Sequence, residues 1–195
     1  FKFQPPSIIT DYVFRYIIYN RLDHRNGRGI KGTFDTAYFS DLDMTRASSS
    51  CDTEALLYLY RRDGEHEFLR KVTGAYTMAI ADWRKREVIV MRDRTGIKPG
   101  VLGWKDGKYG VASEDIAFRK NGGEFIEDLE PGTIYYLTPE GDFTKESLLE
   151  PKPAYCFFEW NYITDVDSIL NGVSSRRIRE SLGAALAEEF CPDDV

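Results

Sequence analysis

The chain has 195 residues, of which 42% are hydrophobic and 30% charged, and its formal net charge is −6. This composition is typical of a soluble globular protein with one domain and part of a second. The negative charge argues against a nucleic-acid partner, and no apolar run is long enough to cross a membrane. The 3 cysteines are odd in number and lack Cys-x-x-Cys spacing, which favours a reduced, cytoplasmic setting.

The N-terminal quarter of the chain carries few clear patterns. Residues 8–19 are rich in β-branched and aromatic side chains, which predicts one strand or two short ones. Asn26 and Gly27 lie in a glycine-rich stretch and form the pair most typical of a turn. The stretch from there to residue 50 is polar and irregular, and we predict no regular element in it.

Two helices are predicted around residue 60. The first covers 52–62, because leucines give it an apolar side and Asp52 or Thr53 can cap its start. Gly64 is expected to end this helix, since glycine adopts the backbone conformations that a helix end requires. A second short helix is predicted over 65–72, with its apolar side chains on one face.

The strongest strand signals lie in the middle of the chain. Tyr76, Met78 and Ile80 alternate with small side chains, and this period of two marks a strand. Val88 to Met91 is a continuous apolar run, as expected of a strand that is covered on both faces. The polar segment 83–86 joins the two, so the pair is predicted to be a hairpin.

The remaining predicted elements are short strands followed by helices. They are a hairpin of 101–104 with 109–112, a helix over 114–119 capped by Ser113, strands from 125 and over 133–137, and a helix over 174–190 capped by Ser174 or Ser175. This order differs from alternating strand–helix units, and it predicts an α+β fold.

Three motifs follow one another along the chain. The first is CDTEALL at 51–57. The second is GAY at 74–76 with RDRTGIKP at 92–99, and the third is ASE at 112–114 with EPG at 130–132. In this order and at this spacing they resemble the class II glutamine amidotransferases, whose nucleophile is N-terminal and whose Ser-Asp-Thr-Glu-x-Leu-Leu is similar to the first motif.

The C-terminal residues narrow the resemblance to one group of enzymes within this family. CFFEWNY and VDSILNG, within 156–172, are similar to the junction of the amidophosphoribosyltransferases, although TDV at 164–166 stands where those enzymes carry Ala-Arg-Pro. The resemblance implies that residues 1–150 form a glutaminase domain that is incomplete at its N-terminus. Residues 151–195 are then a linker and the first helix of a phosphoribosyltransferase-type domain that is incomplete at its C-terminus.

The family resemblance also implies a fold and an activity. The fold is of the Ntn-hydrolase type, an αββα sandwich of two mainly antiparallel sheets, and the enzyme hydrolyses glutamine to glutamate and ammonia. Ammonia then passes to phosphoribosyl pyrophosphate in purine nucleotide biosynthesis. We expect no cofactor in this segment, Mg²⁺ for the phosphoribosyltransferase domain, and a homo-oligomeric whole protein.

Three residues receive roles from the resemblance. Asp52 is expected to hold the α-amino group of glutamine, with a simple helix cap as the competing interpretation. Asn26 and Gly27 are expected to form the oxyanion hole, and the competing interpretations are an ordinary Asn-Gly turn or a role for Asn20 instead. The N-terminal cysteine nucleophile is missing from this sequence, so the segment by itself is expected to be inactive. Arg92 and Asp93 are expected to shape a loop instead of taking part in catalysis.

Two other functions fit the same motifs. One is a non-catalytic amidotransferase-like domain that senses glutamine or binds a partner. The other is a different class II amidotransferase of the glutamate synthase type.

Overall fold

The computed structural model describes residues 52–82 and 84–190, with side chains from residue 56 onwards. The strand predicted over 8–19 and the turn at Asn26 and Gly27 lie outside these residues. In chain order the elements are α1 (Asp52–Lys71), β1 (Thr77–Asp82), β2 (Glu87–Arg92), β3 (Val101–Lys105), β4 (Lys108–Ala112), α2 (Ile116–Arg119), β5 (Glu124–Asp128), β6 (Thr133–Leu137), β7 (Phe143–Ser147), a π-helical turn (Glu159–Ile163), β8 (Ile169–Leu170), β9 (Val173–Ser174) and α3 (Ser175–Glu189).

The strands form two antiparallel sheets and one small hairpin. Sheet A has the order β1-β2-β6-β7, sheet B has the order β4-β3-β5, and β8 pairs with β9. Within the central hairpin Ile80 pairs with Ile89 and Ala79 pairs with Val90. Both predicted hairpins, β1–β2 and β3–β4, are therefore confirmed.

Sheet A lies between two apolar layers because its strands alternate apolar side chains between their two faces. Ile89 and Met91 pack with the apolar side of α1, whereas Val90 packs with Leu102 and Tyr135 between the two sheets. The run of apolar residues in β2 is thus explained by burial on both faces, as predicted.

A short helix, α2, packs on the other face of sheet B. Phe118 of α2 packs with Val101 and Ala112, and these alternate along their strands with Leu102 and Val111, which face sheet A. The order α1, sheet A, sheet B, α2 is an αββα sandwich, and the predicted α+β fold class is confirmed.

Some of the local predictions differ from the structure and others agree with it. The helix α2 starts at Ile116 and is not capped by Ser113; Asp115 precedes it without a side-chain capping bond. Strand β7 and the hairpin β8–β9 were not expected. Gly64 does interrupt the helical backbone of α1, with a φ of 76°, and Ser174 caps α3 by accepting the backbone N–H of Arg177.

Candidate functional site

The helix α1 places the first predicted ligand residue. Asp52 is the first residue of α1, and the helix lies on sheet A through a cluster that includes Leu56, Leu59 and Phe68. The first turn of a helix has unpaired backbone N–H groups and a partial positive charge, so a carboxylate there is favoured in its ionised form. The structure does not describe the side chain of Asp52 or any part of Asn26 and Gly27. That these three residues form one site therefore stays a prediction.

A buried carboxylate fixes α1 to the end of the central hairpin. Asp82 accepts hydrogen bonds from the Tyr60 hydroxyl at 2.9 Å and from Arg84 Nη2 at 2.9 Å. The bonds from Arg84, helped by the one from Tyr60, hold the pKa of Asp82 well below its usual range although its burial opposes this. The contact therefore holds the helix in register with β1.

The loop after β2 is built around Asp93. Its carboxylate accepts from the backbone N–H groups of Tyr76 at 2.9 Å, Thr95 at 2.8 Å and Gly96 at 3.1 Å. The hydroxyl of Thr95 donates to the same carboxylate. Since Tyr76 immediately precedes β1, these bonds tie the loop to the start of the central hairpin.

Arg92 fills the inside of the same loop. Its guanidinium is only 1% exposed and donates to three backbone carbonyls, at Lys98 (3.0 Å), Gly96 (2.7 Å) and Leu129. Burial lowers the pKa of Arg92. Gly96 has a φ of 60°, and a Cβ there would lie 2.8 Å from Pro131. The expected structural role of Arg92 and Asp93 is thus what the hydrogen bonds show.

A set of carboxylates, missed by the sequence analysis, holds the segment 165–171 on the sandwich. Glu114 accepts from the backbone N–H of residue 165 (2.9 Å) and the hydroxyl of residue 168 (2.6 Å), Asp115 from the N–H of residue 169 (2.9 Å), and Asp128 from the N–H of residue 171 (3.2 Å). The one signal in the sequence was the acidic pair that follows β4, and its partners lie about 50 residues away.

Other reactive groups of the described chain do not form a catalytic cluster. Cys156 is a half-buried free thiol. His66 Nε2 lies 2.8 Å from Glu146 and 3.3 Å from the Tyr136 hydroxyl, on the protein surface. Within the residues that the structure describes, no group of His, Cys, Asp and Glu side chains could hold a metal ion, and none of the helices has the length and apolar character to cross a membrane.

Comparison with protein families finds one matching domain. A family model described as the glutamine amidotransferase domain matches residues 39–142. Amidophosphoribosyltransferase from Bacillus subtilis is 30% identical over 148 residues, which are 72% of this chain and 31% of that protein. Amidophosphoribosyltransferase from Rhizobium etli is 32% identical over 153 residues, with 72% and 30% covered.

Comparison with solved structures gives the same result. The glutamine phosphoribosylpyrophosphate amidotransferase of B. subtilis, solved with ADP and GMP, matches with a TM-score of 0.66 and 30% identity, over 74% of this chain and 33% of that one. A structure described as the allosteric regulatory enzyme of purine biosynthesis matches with a TM-score of 0.65 and 30% identity, over 73% and 32%. The chain thus spans about a third of the length of these relatives.

Proposed function

The chain belongs to the class II glutamine amidotransferase domain family, and we propose that it is the glutamine-hydrolysing part of an enzyme that transfers ammonia to phosphoribosyl pyrophosphate. The names of its relatives support phosphoribosyl pyrophosphate as the acceptor of the ammonia. The observation that carries the proposal is the start of α1 at Asp52, inside the matched region, with that helix lying on sheet A of an αββα sandwich.

In this proposal each predicted site residue has one task. Asp52 binds the α-amino group of glutamine by a charge-assisted hydrogen bond. Asn26 and Gly27 stabilise the oxyanion that forms when a thiolate attacks the side-chain amide carbon. As in the family that the sequence resembles, the nucleophile of this proposal is an N-terminal cysteine with its own α-amine as base.

We further propose that residues 1–150 form the glutaminase domain and that 151–195 lead into a phosphoribosyltransferase-type domain. The apolar side of α3 supports this division, since Leu182, Leu186 and Phe190 are exposed on it and such faces mark contact surfaces. We assign phosphoribosyl pyrophosphate, Mg²⁺ and the contacts of a homo-oligomer to the whole protein, of which this chain is the glutamine-hydrolysing part.

The proposal is tested by glutamate release from glutamine, measured on the full-length gene product with and without phosphoribosyl pyrophosphate. Asp52→Asn removes the carboxylate charge and is expected to raise the KM for glutamine about 10- to 100-fold, the range of one lost charge-assisted hydrogen bond. Ammonia-dependent transfer does not use glutamine, so its rate should stay unchanged. Glu67→Gln, on the exposed side of the same helix, is the matched control.

Different outcomes separate the rival functions. An unchanged KM in Asp52→Asn would show that Asp52 is only a helix cap. Glutamine binding without glutamate release, measured by calorimetry, would favour a sensing domain. Glutamate release without consumption of phosphoribosyl pyrophosphate would favour an amidotransferase of the glutamate synthase type.

A further inference from the structure

An ion pair between a buried glutamate and a partly buried lysine joins the sandwich to the segment that follows it. Glu159 is only 4% exposed, whereas its neighbours Phe157, Phe158 and Tyr162 are all exposed. Its carboxylate lies 2.9 Å from Lys98 Nζ. An acidic side chain is seldom fully buried without a partner, and removing one member of such a pair leaves an uncompensated charge. The burial of Glu159 therefore depends on Lys98.

Lys98 is held in place by the sandwich. Its backbone carbonyl accepts a hydrogen bond from Arg92 Nε at 3.0 Å and another from the Thr77 hydroxyl at 3.0 Å. Arg92 is buried and Thr77 begins β1. The backbone at Lys98, from which the side chain extends to Glu159, is consequently fixed to the sandwich.

Glu159 is held from the opposite side. It begins the π-helical turn, whose end is closed by the backbone N–H of Thr164, 2.9 Å from the Glu159 carbonyl. Arg179 of α3 donates to the carbonyls of Trp160 at 3.0 Å and Thr164 at 2.6 Å. Short π-helical turns are rare and are frequent at functional sites. The ion pair therefore links the loop 92–99 with α3 through this turn.

The same loop reaches the helix that carries the proposed glutamine ligand. Asp93 accepts the backbone N–H of Tyr76, and the Tyr76 hydroxyl donates to the carbonyl of Val72, directly after α1. The Tyr76 ring also contacts Phe68 of α1, with ring centroids 6.3 Å apart. Packed side chains and hydrogen bonds thus connect α1 to α3 through this loop, which is one way in which two sites can be coupled.

We propose that Lys98 and Glu159 are a positioning pair, which holds the π-helical turn and α3 in register with the glutamine site so that glutamine hydrolysis is matched to use of the ammonia. This inference rests on the proposed function. The described contacts of the pair lie in the loop 92–99 and in the segment that leads to α3, so the proposal assigns the pair an effect on coupling.

The first test does not depend on activity. Hydrogen exchange of the full-length gene product is compared with that of Lys98→Met, and exchange over residues 156–164 is expected to be about 10- to 100-fold faster in the variant. Lys120→Met is the matched control, because Lys120 pairs with Asp165 of the same segment at 3.1 Å but both side chains are exposed. It should change exchange little. Unchanged protection over 156–164 in Lys98→Met would overturn the proposal.

The second test measures coupling directly, as glutamate released per phosphoribosyl pyrophosphate consumed. Lys98→Met and Glu159→Gln should each raise this ratio at least about threefold while ammonia-dependent transfer is unchanged, and the double variant should match the single ones because they remove the same interaction. Lys98→Arg keeps the charge and should restore the ratio. A merely structural role would lower both activities together, and that result contradicts the inference.

The two proposals fail in different ways. If the wild-type protein releases no glutamate, the proposed function is wrong whatever the exchange results show. If it hydrolyses glutamine normally and the ratio is the same in Lys98→Met, the positioning role is wrong and the function stands. Should Lys98→Met be insoluble, the charge-exchanged variant with Lys98→Glu and Glu159→Lys provides the comparison, and a wild-type ratio is expected from it.

Discussion

Replacing Arg92 by Met tests whether the loop after β2 is a structural joint of the sandwich. The guanidinium is almost fully buried and donates to three backbone carbonyls, those of Gly96, Lys98 and Leu129. Methionine has a similar length and fills much of the same space, but it cannot donate a hydrogen bond. The substitution therefore isolates the polar contribution of Arg92 from its volume.

The magnitude follows from the carbonyls that are left without a donor. Each buried acceptor that loses its partner costs about 1–3 kcal/mol. The carbonyl of Lys98 keeps the Thr77 hydroxyl as a donor, so the carbonyls of Gly96 and Leu129 account for roughly 2–6 kcal/mol. Part of this is offset because the buried charge of Arg92 is itself unfavourable, as its lowered pKa shows. A net loss of about 3 kcal/mol is expected, which is a large fraction of the stability of a typical domain.

Native-state hydrogen exchange of β2 and β6 in the full-length gene product measures this loss. Since about 1.4 kcal/mol is a factor of ten, exchange in Arg92→Met should be accelerated roughly 100-fold. Arg92→Lys keeps the charge and some of the bonds, so its effect should be intermediate. Arg70→Met, at an exposed position of α1, is the control and should leave exchange unchanged. Equal exchange in Arg92→Met and Arg70→Met would refute this reasoning.

Two further substitutions probe packing and charge. Gly103→Ala puts a Cβ 2.4 Å from the Phe118 ring and should lower stability by about 1–3 kcal/mol, measured by thermal unfolding. Gly183→Ala, in the exposed part of α3 with open space around it, should instead raise stability. Equal shifts in the melting temperature of the two variants would contradict the steric reason. Burial raises the pKa of Asp128, so its contribution to stability is present below its unfolded pKa and is lost as the pH rises from about 4 through the folded pKa. Asp128→Asn should therefore be more stable than the wild type at pH 7 and equally stable below about pH 4, and a lower melting temperature at pH 7 would show that the hydrogen bond from Asn171 needs the charge.

The sequence predicted the parts of the fold whose causes are local. The apolar run in β2, the glycine at position 64 and the Ser174 cap each depend on neighbouring residues, and each is found in the structure. Strand β7 has mostly exposed side chains and therefore lacks the alternation that marks a half-buried strand. It forms because β6 offers an edge for pairing, which no local pattern reveals.

The same distinction between local and long-range causes applies to the residues of the candidate site. Roles for Asp52, Asn26 and Gly27 could be stated only from the family resemblance, because a helix cap and an Asn-Gly turn have the same local sequence as a ligand and an oxyanion hole. The pairing of Lys98 with Glu159 spans 61 residues. Lysine and glutamate are common on surfaces, so only the folded structure distinguishes this pair from exposed ones.

Structural contacts account for the sequence of the loop that best identifies the family. Arg92 must reach three carbonyls, Asp93 must bind successive backbone N–H groups, and Gly96 must adopt a positive φ beside Pro131. Few residue types meet each requirement, so the segment reads as a motif, and the described hydrogen bonds of Arg92 and Asp93 all go to the backbone or side chains of the sandwich itself. Lys98 then extends the loop to Glu159. Substitutions in this loop are expected to reduce coupling and stability before they affect glutamine binding. The affinity of the glutamine site should stay unchanged as long as the sandwich stays folded.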